Sequence, residues 1–77
     1  MINPEQIRGA RAMLGLTQAE LAKRAGISTT GLNNIESRGT DPKASTLRAI
    51  QSALEAAGVI FVDENGEGPG VRLRKAR

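Results

Sequence analysis

Side chains able to do covalent, acid–base or metal chemistry are scarce in this 77-residue chain, where Asp and Glu total 8 and Cys and His are both 0. A thiolate nucleophile, a Cys/His zinc cluster, a His-containing triad and a His proton switch are all excluded. Asp63, Glu64 and Glu67 could attract a cation weakly, but they lack the ligand spacing of an EF-hand loop. The run Gly66-Glu67-Gly68-Pro69-Gly70 is Gly-rich, yet it opens no helix and lacks the Lys-Ser/Thr of a phosphate loop. No paired carboxylates suggest a general acid and base. Neither an enzyme nor a cofactor is therefore expected. What remains is contact chemistry, carried by Thr17, Gln18, Ser28, Thr29, Thr30, Asn33 and Asn34 within one short stretch.

These groups need helices to hold them, and the helix signals are dense. Asn3-Pro4-Glu5-Gln6 combines a cap, a proline preset for the first turn and a Gln placed to close a capping box. Ile2 and Ile7 have the spacing of a hydrophobic staple, and Ile7, Ala10 and Leu14 form one apolar stripe up to Gly15. The device recurs at once: Thr17 caps, Glu20 reciprocates, Leu16 staples to Leu21, and Gly26 ends the second helix. Ser28 caps a third helix whose inner face is Leu32 and Ile35, with Ile27 stapled to Leu32. Arg38 to Pro42 is turn chemistry, and from about Ala44 a fourth helix lines up Leu47, Ile50 and Leu54 before Gly58. Beyond it, Val59 to Val62 and Val71 to Arg74 read as two strands around a loop. The predicted fold is mostly α: a helix-turn-helix domain over residues 1–58, then a C-terminal β-ribbon and basic tail over 59–77.

A chain this short has one small core and usually needs a disulfide, a metal or a partner to become robust. With thiols and imidazoles absent, a second copy is the expected staple. An isolated two-stranded ribbon is marginal in water, so Val59, Phe61, Val71 and Leu73 are expected to bury against a twin or against the helices. The net charge of +3 is unevenly placed. Residues 1–58 contribute +2, residues 59–70 contribute −3, and Arg72, Arg74, Lys75 and Arg77 contribute +4. Met1 to Arg8 is polar and the longest apolar run, Ala56 to Val62, is too short to span a bilayer. A cytoplasmic protein with no membrane partner is expected.

Residues 18–37 form a helix, a short turn containing Gly, and a second helix, an arrangement that can place a recognition helix in the DNA major groove. Ala22 is small where the helices cross. The run Leu16-Thr17-Gln18-Ala19-Glu20-Leu21-Ala22, followed by Gly26-Ile27-Ser28, Leu32, Ile35-Glu36, Gly39, Pro42, Thr46-Leu47, Ile50 and Leu54, resembles the Cro/phage-repressor (XRE) family of bacterial helix-turn-helix regulators. The likeness spans about residues 4–58.

The resemblance implies roles residue by residue. Thr17, Gln18 and Ser28 would meet DNA phosphates at helix starts, aided by main-chain N–H groups and the helix dipole. Thr29, Thr30, Asn33 and Asn34 would read bases, since Leu32 and Ile35 take the opposite face. An Asn amide matches adenine and a Thr methyl matches thymine, which predicts an A·T-leaning half-site. Arg38, Thr40 and Lys43 would clamp phosphates, and Arg11 and Glu36 would join the first helix to the end of the third. Lys43 departs from the small capping residue that relatives often carry there. The implied function is a homodimeric regulator of transcription, a repressor on a pseudo-palindromic operator in double-stranded DNA. Thr29 to Ile35 contains no Lys, Arg or Gln. That neutral face leaves open a protein-interaction module on the same fold, an antiactivator that sequesters a regulatory protein or an antitoxin that masks an enzyme.

Overall fold

The first three helices each begin on a side chain that satisfies one of their own free N–H groups. In the computed structural model, which describes residues 1–75, the order is α1 (Pro4–Leu14), α2 (Gln18–Ala25), α3 (Thr29–Glu36), α4 (Ala44–Ala56), β1 (Val59–Val62) and β2 (Gly70–Leu73). Asn3 Oδ1 accepts from the Gln6 N–H at 2.8 Å while Gln6 Oε1 accepts from the Asn3 N–H at 2.9 Å. Thr17 and Glu20 repeat the box at 3.1 and 2.9 Å. Ser28 Oγ accepts from the Gly31 N–H at 2.9 Å. A Cβ at Gly31 would lie 2.9 Å from that same Oγ, so this weak helix former leaves room for the cap. Lys43 stands at the start of α4 with no side-chain cap bond. Gly15 and Gly26 end α1 and α2 in the left-handed region, at φ 69° and 72°. The fourth helix stops at Ala56, with Ala57 rather than Gly58 as its cap.

The stripes meet in one core. Ile7, Leu21, Leu32, Ile50 and Leu54 are fully buried together, and Ala22 is buried at the small-residue position of α2. Val59 belongs to the same core, with Phe61 and Val71 packed against it.

β1 and β2 pair antiparallel with each other in the register Val59↔Leu73, Ile60↔Arg72, Phe61↔Val71 and Val62↔Gly70. The chain's own helices supply one of the two coverings expected for the ribbon's inner face: Val59 is buried in their core, with Phe61 and Val71 partly buried against it. Of the four residues expected at a two-fold contact, Leu73 is the exposed one, at 46 %. Alternation sends Ile60 and Val62 to the opposite, outer face. Gln6 explains how the hairpin is seated. Its amide Nε2 donates to the Gly70 carbonyl at 3.0 Å and to the Val62 carbonyl at 3.4 Å, while its Oε1 still serves the α1 cap. One buried side chain thereby joins the start of α1 to the loop end of the ribbon. Arg77 of the basic tail lies outside the described residues.

Because the ribbon shares the helical core, its residues are expected to count toward global stability. Val59→Ala should cost about 2 kcal/mol in urea denaturation with a single transition retained. A change within error of zero would mean that the hairpin unfolds apart from the helices.

Candidate nucleic-acid interface

The turn between α2 and α3 is short because Gly26 reverses the chain and the Ile27 N–H returns to the Ala22 carbonyl at 3.0 Å. Ile27 is thereby drawn toward the core, and α3 starts at Thr29. Leu32 and Ile35 are buried, so the helical period puts Thr29, Thr30, Asn33 and Asn34 outside, and all four are exposed. They form an uncharged shelf of hydroxyls and amides.

The shelf is held from behind by a buried carboxylate. Glu36, with a side chain only 3 % exposed, accepts from Arg11 Nε and Nη2, each at 3.0 Å. Arg11 Nη1 also donates to the Leu16 carbonyl at 3.1 Å, which ties in the α1–α2 connection. Gln18 Nε2 reaches across to Glu36 Oε1 at 3.1 Å and to Asn33 Oδ1 at 3.3 Å. Arg8 Nη1 donates to the Glu36 main-chain carbonyl. Side chains from α1 and α2 thus converge on the last turn of α3 and set its pitch. The expected Arg11–Glu36 pair is present; Arg8 was not anticipated, although it lies three residues before Arg11 on α1.

This geometry refines the contacts expected of each polar group. Gln18 engages its amide nitrogen internally, so what it offers an anion is its main-chain N–H. The N–H groups of Thr17 and Glu20 are consumed by the capping box, leaving those of Gln18 and Ala19 as the free first-turn donors of α2. Thr17 and Ser28 accept hydrogen bonds as caps, yet a hydroxyl also carries one proton to donate. Capping and phosphate contact are therefore compatible in the same residue. Asn33 shares its Oδ1 with Gln18 and keeps its NH₂ free.

After α3 come Arg38, Thr40 and Lys43, all exposed. Arg38 has φ 62°, the one non-glycine with positive φ among the described residues. That conformation costs an ordinary residue about 1–2 kcal/mol. Its guanidinium turns toward α1, where Nε donates to Glu5 Oε2 at 3.1 Å and Nη2 donates to Glu5 Oε1. The Arg38 guanidinium thereby holds the Glu5 carboxyl below the usual glutamate range. At Glu20 the Thr17 N–H does the same.

Among the described residues no group of His, Cys, Asp or Glu is gathered as a metal would require, and no helix is long and apolar enough to cross a membrane. The polar architecture is that of a helix pair built around an exposed second helix. A family model described as Helix-turn-helix matches residues 7–56, which is most of the chain. The chain belongs to this helix-turn-helix family. It is the Cro/phage-repressor (XRE) type of DNA-binding regulator. The chain is similar to the DNA-binding domain of the P22 C2 repressor, with 33% identity over 71% of this chain and 72% of that one, at a TM-score of 0.65. It is also similar to a mutant of the restriction-modification controller protein C.Esp1396I, with 27% identity over 68% of each chain and the same TM-score of 0.65. No curated protein matches at comparable stringency.

The two halves of the buried pair should not be equivalent. Arg11→Ala strands a carboxylate that water barely reaches and should cost about 3–5 kcal/mol. Glu36→Gln still accepts a hydrogen bond and leaves a cation that is 24 % exposed, so its cost should be smaller. Equal losses in chemical denaturation would contradict that ordering.

Acid should also destabilise the fold. The pKa values of Glu5 and Glu20 are lower folded than unfolded, so their contribution is full above the usual glutamate range and is lost as pH falls through the lowered values. Melting temperature should drop over that window, and the drop should be shallower in Glu20→Gln. A drop in Glu20→Gln as steep as in the wild type would contradict that assignment.

Proposed function

We propose that this chain is a homodimeric repressor of transcription that binds a pseudo-palindromic operator in double-stranded DNA. The observation that carries the reading is the exposed, uncharged shelf of Thr29, Thr30, Asn33 and Asn34 on a helix anchored from behind by Glu36 and Arg11. The same module in the P22 C2 repressor is a DNA-binding domain. In the proposed complex these four residues meet base edges in the major groove, with Asn33 and Asn34 favouring adenine. Thr17, Ser28 and the Gln18 N–H hold phosphates at the helix starts, and Arg38, Thr40 and Lys43 hold the backbone beyond α3. Two copies would set their α3 helices about 34 Å apart, one turn of DNA. The apolar surface offered to a second copy is the outer face of the ribbon, Ile60 and Val62, together with Leu73, which lies opposite Val59 on the inner face yet is left exposed. Repression then follows from occupancy of the operator.

A second reading has specific support. The α3 shelf lacks the Arg or Lys that most often reads guanine. A groove of about 570 Å³ also lies between the N-terminus, α4 and the ribbon, lined by Met1, Ile2, Phe61, Glu55, Asp63 and Glu64. Its lining is more polar than apolar, with Gln6 and Gln51 among the carboxylates, which suits a basic segment of another protein. On this reading the chain sequesters a partner protein, as an antiactivator or antitoxin.

A mobility shift with the DNA upstream of the chain's own coding sequence separates the two readings. The repressor reading expects binding that weakens steeply with rising salt as counterions are released. Lys43→Ala should weaken binding on all sequences and lower the salt slope by about one. Asn34→Ala should cost about 1–3 kcal/mol on the preferred operator and narrow its margin over variants. Unchanged discrimination in Asn34→Ala would refute its assignment as a base reader.

A further inference from the structure

Among the described residues one cluster lies outside both the core and the base-reading shelf: Glu5 and Arg8 on α1 and Arg38 just beyond α3. Its geometry is that of oxyanion capture. Arg38 presents its Nε and Nη2 edge to the two oxygens of Glu5, the two-pronged mode by which a guanidinium also takes a phosphate. Arg8 Nη2 adds a contact to Glu5 Oε2 at 3.3 Å. Two cations therefore face one carboxylate. All three side chains stand largely in water, at 62 % exposure for Arg38, 51 % for Glu5 and 43 % for Arg8. An incoming anion could reach them without unfolding anything.

The backbone adds a second observation. The residue that follows the α3 cap lies in the left-handed region, where glycine is the least costly choice, and Gly39 stands one position further on. The strained position carries arginine instead, so the side chain rather than the turn is what that residue supplies.

We propose that Glu5 is an internal competitor for DNA phosphate, occupying the Arg38 guanidinium in the free protein and yielding it when DNA binds. The inference rests on the DNA-binding reading above and deepens it. Binding then exchanges one oxyanion for another at Arg38, so Glu5 holds affinity below what the basic side chains could provide. The charge balance is simple. With Glu5 in place the three-residue cluster carries a single positive charge, and neutralising Glu5 leaves the charges of both Arg8 and Arg38 to the phosphate.

The test is a salt series of duplex-binding measurements on four proteins: wild type, Glu5→Gln, Arg38→Gln and the double variant. Glu67→Gln makes the same change of net charge in the hairpin loop and serves as a control. Glu5→Gln should bind roughly two- to five-fold tighter, the scale expected of an exposed ion pair. The gain should exceed that of Glu67→Gln and vanish in the Arg38→Gln background. Equal or weaker binding by Glu5→Gln, or a gain that persists without Arg38, overturns the inference while leaving DNA binding intact. Absence of duplex binding by every protein at low salt overturns the DNA reading and this inference with it. Arg38→Gly supplies a separate readout: it should weaken binding without lowering the melting temperature, because glycine relieves the backbone. A lowered melting temperature with unchanged affinity would make the contact a structural tie and overturn the proposal.

Discussion

The buried carboxylate of Glu36 is the constraint around which the helix pair is arranged. A charge removed from water must be matched by donors in good geometry. Arg11 provides two, and Gln18 adds a third from the neighbouring helix. These donors come from α1 and α2, so the end of α3 cannot rotate or slide without losing them. Apolar packing of Leu32 and Ile35 tolerates small shifts; a forked ion pair at 3.0 Å does not. The orientation of the exposed face of α3 is therefore an electrostatic matter as much as a hydrophobic one.

Around that anchor the chain assigns double duties. Gln6 closes a helix cap with its oxygen and seats the hairpin with its nitrogen. Thr17 and Ser28 accept bonds from their own helices while keeping a proton to give. Gln18 steadies Asn33 and Glu36 at once. A domain with so small a core has few residues to spare, and polar side chains with both a donor and an acceptor allow one residue to join two elements. The ribbon fits this economy: it closes the core through Val59, with Phe61 and Val71 packed beside it, and one α1 amide bonds both of its strands.

Much of this was legible in advance, and the boundary has a clear cause. The caps at Asn3, Thr17 and Ser28 were readable because each partner lies three residues away, within the first turn of its helix. The helix stripes and the alternation in the ribbon were readable for the same reason of fixed local period. The second bond of Gln6, the Arg8 contact to the end of α3 and the Glu5–Arg38 fork were not. Each joins residues 28 or more positions apart, and nothing local distinguishes a solvated Arg8 or Glu5 from one that is engaged. The string from Arg38 to Pro42 announced a turn, but nothing local shows that Arg38, and not Gly39, adopts the left-handed angle.

Sequence alone sufficed for which segments are helices, where each begins, which side of α3 is apolar and that two strands follow, because those properties depend on residues within a turn of one another. Packing decided the rest. It spent Val59, Phe61 and Val71 on the chain's own helices, turned Gln18 inward, and brought Glu5 to Arg38. Those outcomes depend on how the helices cross, and the crossing is set by the summed burial of a shared core together with one charge that could not remain unpaired.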